Sequence, residues 1–324
     1  MKLSRRELLQ VGAGFAVASA FPRLASALDY PARAVRLIAG FAAGGAADVC
    51  ARLLGQQLSA RLGQQFIVEN RTGAGGIIAT EEVARAAPDG HTLLVCAFAN
   101  AVNTSLSPRP NFNFLRDIAP VAGTVRLPLI LLVNPTVPAT SLPELIAYAK
   151  ANPGKLDFPS AGIGSSEHMA GELFKLMAGV DMVHVPFRGG APAIAALIAG
   201  QAQAYFCAMP TSLSGIKAGM RALAITTATR SNALPELPTI SELLPGYDVS
   251  LWFGIGAPKD TPSEINEKLN KAVNASLATA DFAKRVADLG GVPMPMTPAA
   301  FGKLMADETE KWGNVIRAAD LKAG

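Results

Sequence analysis

Apolar and polar residues recur at two periods along this chain, and the periods take turns. Val35-Arg36-Leu37-Ile38-Ala39 reads as a short strand, Gly40 to Gly45 as a glycine loop, and Asp48 to Leu62 as an amphipathic helix. Phe66 to Glu69 repeats the strand. Asn70-Arg71-Thr72-Gly73-Ala74-Gly75-Gly76 repeats the loop, and a second helix runs through Ala87. Pro88-Asp89-Gly90 then makes a turn before a third strand, Thr92 to Ala97. Strands alternating with helices predict an α/β fold with a parallel sheet, whose loops gather at the strand ends where ligands bind.

Two later stretches echo each other. Leu129 to Val133 is followed by Asn134-Pro135 and a helix from Leu142, and Leu251 to Gly256 by Ala257-Pro258 and a helix from Pro262 or Ser263. The symmetry predicts two chain crossings between two α/β lobes. Residues 28–130 would form lobe 1, 131–249 lobe 2, and 250–324 a return to lobe 1. Helices near 263–279 and 298–319 would pack back on lobe 1, the last of them in a position to bridge both. The expected architecture is two mostly parallel sheets joined by a two-crossing hinge, and no short-period repeat competes with it.

The first 27 residues read differently. Lys2, Arg5 and Arg6 open the chain, an apolar stretch runs from Leu8 to about Phe21, and Ala25-Ser26-Ala27 offers a small-residue cleavage site. This is the pattern of an export leader, and Arg5-Arg6 followed by Leu8-Leu9 resembles the twin-arginine type; an ordinary secretory leader is the alternative. The apolar run is shorter than the roughly 20 residues that span a bilayer, so the mature chain is expected to work in the periplasm. Of the net charge of +4, the leader holds +3, from Lys2, Arg5, Arg6 and Arg23 against Glu7. The remaining +1 leaves no basic stripe for nucleic acid. With 50% hydrophobic residues the chain can bury a large core, enough for two domains. Cys50, Cys96 and Cys207 lack metal-type spacing; Cys50 and Cys96 could pair as a disulfide, or all three could be buried free thiols.

Candidate chemistry lies in the glycine loops. A loop that feeds a helix N-terminus can present N–H groups and partial positive charge to an anion or carboxylate, and Phe41 to Asp48, Arg71 to Ile77 and Ser160 to His168 are all so placed. None is a nucleotide site: the phosphate-loop lysine is absent, and Gly162-Ile163-Gly164-Ser165-Ser166-Glu167 lacks the third glycine of a dinucleotide fingerprint. No serine sits in a nucleophile elbow near His91, His168 or His184. No histidine pair has i, i+4 metal spacing. Structural or ligand-contact roles are therefore expected for these residues, with no catalytic group, metal or cofactor.

The ordered series Phe41-Ala42-Ala43-Gly44-Gly45 with Asp48, Val68-Glu69-Asn70-Arg71 with Gly73 to Gly76, and Ala87-Pro88-Asp89-Gly90 resembles the Bug family of extracytoplasmic solute receptors. The likeness continues through Ala151 to Lys155, Gly164 to Phe174, Val180 to Phe187, Ile216 to Gly219, Leu234 to Thr239 and Trp252-Phe253-Gly254. These receptors serve tripartite tricarboxylate transporters. The resemblance implies a two-lobed periplasmic binding protein of the type II-like class, monomeric, closing over a small organic acid and handing it to membrane permease subunits. A ligand-sensing module acting on a two-component sensor kinase is the competing role. Carried over, the ligand loops are Phe41, Ala43, Gly44, Gly45 and Asp48 in one lobe, and Ala161, Gly162, Gly164, Ser165, Ser166, Glu167 and His168 in the other, with Cys207 and Ala208 at the far wall.

Three positions depart from the family pattern. Ala42-Ala43 stands where prolines are common, Glu167 where a small hydroxyl residue is usual, and Cys207-Ala208 where an Asp-Asn pair often precedes the proline. Glu167 either points into the cleft and repels a second carboxylate, or faces solvent in the first helical turn and complements the dipole. Asp48 has the same two readings, dipole partner or brace for the loop N–H groups.

Overall fold

The computed structural model describes residues 30–109 and 111–322. The export leader read from Met1 to Ala27 lies outside the described residues. The chain opens with β1 (Val35–Ala39), α1 (Ala46–Leu62) and β2 (Phe66–Asn70), then a short 3-10 turn (Ala74–Gly76), α2 (Ile77–Ala84) and β3 (Thr92–Ala97). α2 stops three residues short of the expected Ala87, where Arg85 and Ala86 bond back to Glu81 and Val83 ahead of the Pro88 turn. Next come α3 (Phe98–Leu106), α4 (Phe114–Asp117) and β4 (Ile118–Val133). Beyond β4 lie α5 (Leu142–Ala151), β5 (Asp157–Ser160), α6 (Ser166–Ala178), β6 (Val183–Pro186), α7 (Gly190–Ile198), β7 (Ala204–Ala208), α8 (Met209–Lys217) and β8 (Arg221–Ile225). The chain finishes with β9 (Ser250–Pro258), α9 (Ser263–Leu277), α10 (Ala280–Asp288), β10 (Val292–Pro293) and α11 (Pro298–Ala318).

β4 organises the molecule. It is 16 residues long, far beyond the expected Leu129 to Val133, because its first part is a strand of one half of the fold and its second part a strand of the other. Ile118 to Pro128 pairs with β9, while Leu129 to Val133 pairs with β7 and β8. The first half runs β10-β4-β9-β3-β1-β2, and β5 and β6 form a separate two-stranded sheet.

The expectation of mostly parallel pairing holds where strands are joined through helices. β1 runs parallel to β2 and β3, and β5 to β6. The ladders that β4 and β9 make with their neighbours are antiparallel. The physical reason is direct: one strand carries the chain out of the first half and the other brings it back, so the two must oppose each other. The sheet is mixed.

Thr226 fastens both crossings. Its hydroxyl accepts the Leu129 N–H at 2.9 Å and donates to the Val249 carbonyl at 2.7 Å, from a fully buried position. One apolar cluster spans the junction, with Phe98 and Leu129 beside Phe158, Phe174, Tyr247, Trp252 and Trp312. β9 needs a glycine in this packing: a Cβ on Gly254 would stand 2.0 Å from the Phe301 ring of α11. The cysteines are free and buried. Cys50 packs on one face of the sheet and Cys96 on the other, which precludes the disulfide. Burial pushes the Cys50 thiol up to about 12, so it stays protonated.

Candidate ligand-binding site

The first glycine loop joins β1 to α1, and Asp48 shapes it. Asp48 stands in the first turn of α1 yet is buried; its Oδ2 accepts the Gly44 N–H at 2.9 Å and its Oδ1 the Asn70 Nδ2 at 3.0 Å. Arg52 Nε closes the cluster on Oδ2 at 2.9 Å. Burial raises the pKa, but Arg52, the Gly44 N–H and Asn70 outweigh it and hold the carboxyl below its usual range. The loop-bracing reading of Asp48 therefore has its hydrogen bonds in place, alongside its favourable position at the dipole. Gly45 donates to the Ala42 carbonyl at 3.2 Å, so both glycine N–H groups are engaged within the loop. Gly45 is the N-cap of α1 and offers no side-chain cap, which leaves the first-turn N–H groups of Ala46 and Ala47 without a partner inside the helix.

The second glycine loop lies against the first. A Cβ on Gly40 would come within 2.7 Å of Gly76 Cα, and the Phe41 ring approaches the corresponding point on Gly76 to 3.5 Å. Asn70 Nδ2 also bonds the Phe41 carbonyl at 3.0 Å.

In the other half, the turn from β5 to α6 is held by two histidines. His168 Nδ1 accepts the Gly164 N–H at 3.1 Å, so the neutral ring carries its proton on Nε2, 3.8 Å from Glu172 Oε1. His184 of β6 stacks on His168 with centroids 3.8 Å apart, and its Nε2 meets Ser160 Oγ at 2.6 Å. Ser160 Oγ in turn accepts the Gly162 N–H at 3.1 Å. Burial depresses both rings, His168 to about 3 and His184 to about 4, with the neighbouring ring and Lys175 adding to the effect on His168, and Lys175 to that on His184. Burial likewise raises the Glu172 carboxyl, against the pull of Lys175. Ser160 is fully buried, so its contact with His184 fixes a turn and presents no nucleophile to solvent.

Ser165 caps α6 by accepting the His168 N–H, and the Glu167 N–H bonds its own buried carboxyl. Gly164 needs its missing side chain twice: φ is +76°, and a Cβ would strike Leu106 at 2.8 Å. Ala161 accepts from the Gly189 N–H at 3.2 Å, which joins this turn to the loop before α7. Cys207 and Ala208 end β7, the thiol fully buried and Ala208 partly so. Glu167 is buried rather than facing solvent, and its Oε2 accepts from Ser166 Oγ at 3.0 Å. The solvated alternative is overturned because its carboxyl turns back beneath the helix start.

The two halves of this constellation meet through α3. Asn103 donates from Nδ2 to the Gly75 carbonyl at 2.9 Å, and its Oδ1 lies 3.9 Å from the place a Gly164 Cβ would take. A hollow of about 100 Å³ opens beside this junction, lined by Thr80, Asn100, Asn103 and Arg109 among others. Asn100 and Asn103, both within α3, were not singled out by sequence, since nothing local distinguishes them from other polar residues of a helix. Among the described residues no cluster of three His, Cys, Asp or Glu could hold a metal ion, and no helix is long and apolar enough to cross a membrane.

The chain is similar to known proteins. The chain is 38% identical to the protein BugT of Bordetella pertussis over 301 residues, 92% of each. Its fold matches a Rhodopseudomonas palustris protein, Rpa4515, solved with adipate (TM-score 0.80, 35% identity, covering 90% of this chain and 99% of that one). It also matches MatC of the same organism, solved with malate (TM-score 0.76, 33% identity, covering 89% of this chain and 100% of that one). Residues 50–321 match the model of the tripartite tricarboxylate transporter family receptors, and the chain belongs to that family.

Proposed function

We propose that this protein is a periplasmic receptor that closes two lobes over a small organic carboxylate and delivers it to the permease subunits of a tripartite transporter. The observation that carries the reading is that Asn103 brings the second glycine loop, which lies against the first, beside the Gly164 turn from the other side of the β4 crossing. N–H groups at helix starts, with hydroxyls such as those of Ser165 and Ser166, hold a carboxylate without a basic side chain. The adipate and malate bound by the two structural relatives support the same chemistry. The lobes correspond to 28–130 with 250–324, and 131–249, with β4 and β9 as the hinge. The leader-like first 27 residues support export.

The test is native mass spectrometry of protein isolated from its own periplasm, followed by calorimetry with the acid released. A carboxylate bound at one equivalent per chain is expected. A released ligand with no acidic group, or turnover of the bound acid to a product, overturns the reading.

A further inference from the structure

Resting on the receptor reading above, we propose that His168 and His184 are positioning residues for the ligand turn between β5 and α6. They do not touch the acid; they hold the backbone of the turn in its binding shape before the acid arrives.

His168 stands in the first turn of α6 and His184 in β6, and each ring reaches the turn by its own route. Nδ1 of His168 accepts the Gly164 N–H at 3.1 Å. Nε2 of His184 lies 2.6 Å from Ser160 Oγ, which accepts the Gly162 N–H at 3.1 Å. Glycine has more backbone freedom to lose than any other residue, so a turn built on two glycines keeps one shape only if it is held from outside. Ile163, between them, is exposed, so the two bonds fix the apex that faces solvent.

The rings are themselves locked. They stack at 3.8 Å with planes 18° apart, and the Phe158 ring of β5 lies 5.1 Å from His184. Gly171, one turn of α6 beyond His168, has no room for a side chain, since a Cβ would stand 2.2 Å from the Phe158 ring. That missing side chain lets α6 come close enough to β5 for the histidines to meet. Lys175 closes the column, 5.9 Å from the centre of the Phe158 ring and 3.1 Å from Glu172.

Nδ1 of His168 and Oγ of Ser160 are buried and already engaged, so what they control is where the turn's backbone points. A backbone ordered before binding loses less conformational entropy when a ligand docks, and affinity then depends on acceptors that never meet the acid. The chemistry singles out the acceptor atom. Oδ1 of an asparagine hangs from Cγ as Nδ1 of a histidine does, and the end of a glutamine reaches the place of Nε2. An amide therefore keeps the bond and loses the ring, whereas a leucine keeps apolar bulk and loses the bond.

The experiment is calorimetry of the mature chain with malate, succinate, adipate, hexanoate and benzoate. It compares the wild type with His168→Asn, His168→Leu, His184→Gln, His184→Leu and Ser160→Ala, each followed by urea unfolding so that binding is measured where the variant is fully folded. For the acid that the wild type binds most tightly, both leucine variants should lose about tenfold in affinity, and the asparagine and glutamine variants should recover most of that loss. Ser160→Ala, the mildest change, should lose about threefold to tenfold and carries the comparison if a leucine variant does not fold. Lower unfolding midpoints with the affinity of the folded protein unchanged overturn this proposal and leave the receptor reading standing. Equal losses in the leucine and amide variants do the same, since the acceptor would then be irrelevant. Binding of none of these acids by the wild type overturns both.

Discussion

At Asp48, burial and hydrogen bonding act in opposite directions on one carboxyl group, and hydrogen bonding wins. Asp48→Asn removes the ion pair with Arg52 and weakens the acceptor for Gly44, so stability should fall by about 1–2 kcal/mol in urea unfolding. Affinity should drop modestly with the ligand order unchanged; an altered order would show direct contact with the ligand. Because the folded carboxyl has a depressed pKa, this stabilisation is present above the unfolded value of about 3.9 and is lost as pH falls through the folded one. His168 and His184 act in a higher window. Both are neutral bases whose folded values, about 3 and about 4, lie below the unfolded 6.5. As pH falls from 7 to 5 the unfolded chain takes up protons that the folded pair refuses, so the pair loses stability. Wild type should therefore lose stability relative to His184→Gln over that range, by on the order of 1–2 kcal/mol. Proton NMR should find neither ring titrating above pH 5. A ring that charges near pH 6 refutes the stacked neutral pair.

Among the elements, α11 decides how the C-terminal segment docks. Glu308 of α11 is buried and accepts both indole N–H groups of its neighbourhood, Trp252 of β9 at 3.1 Å and Trp312 at 2.9 Å. Trp312 in turn meets Phe98 of α3 edge to face at 5.0 Å. One carboxylate thus ties the returning helix to the returning strand. Glu308→Leu leaves two buried donors without an acceptor and should destabilise by about 2–4 kcal/mol, while Glu308→Gln, which keeps one amide oxygen, should lose about half as much. Thermal unfolding of the two variants measures the difference; equal midpoints would remove the indole bonds as its cause. The sequence announces a helix near residues 298–319, but not that Glu308 turns inward, since an acid in that position reads equally well as part of a solvated face.

For the whole molecule, the receptor reading makes a shape prediction. The two loop systems belong to opposite sides of the β4 crossing, and a shared ligand would draw them together, so saturation should lower the radius of gyration in small-angle scattering. A saturated protein of unchanged dimensions defeats closure. Sequence pattern alone located β1, α1, β2, β3, the helices from Leu142 and Ser263, and both crossing strands, because amphipathic period and turn residues are local properties. It likewise marked the glycine loops, since Gly164 is required by a local φ as well as by Leu106. Three things lay beyond it. The direction of β4 and β9, the burial of Glu167 under its own helix start, and the convergence on Asn103 each depend on which distant segments become neighbours. Those partners are set by long-range packing that no local window contains: hydrogen-bond direction in a sheet follows the chain's path between halves, and an acid's burial follows from what covers it. The sequence by itself determined the alternation of elements and the loops that can hold an anion; only the tertiary structure decided which of those loops become neighbours, because such contacts are set by packing between segments far apart in the chain.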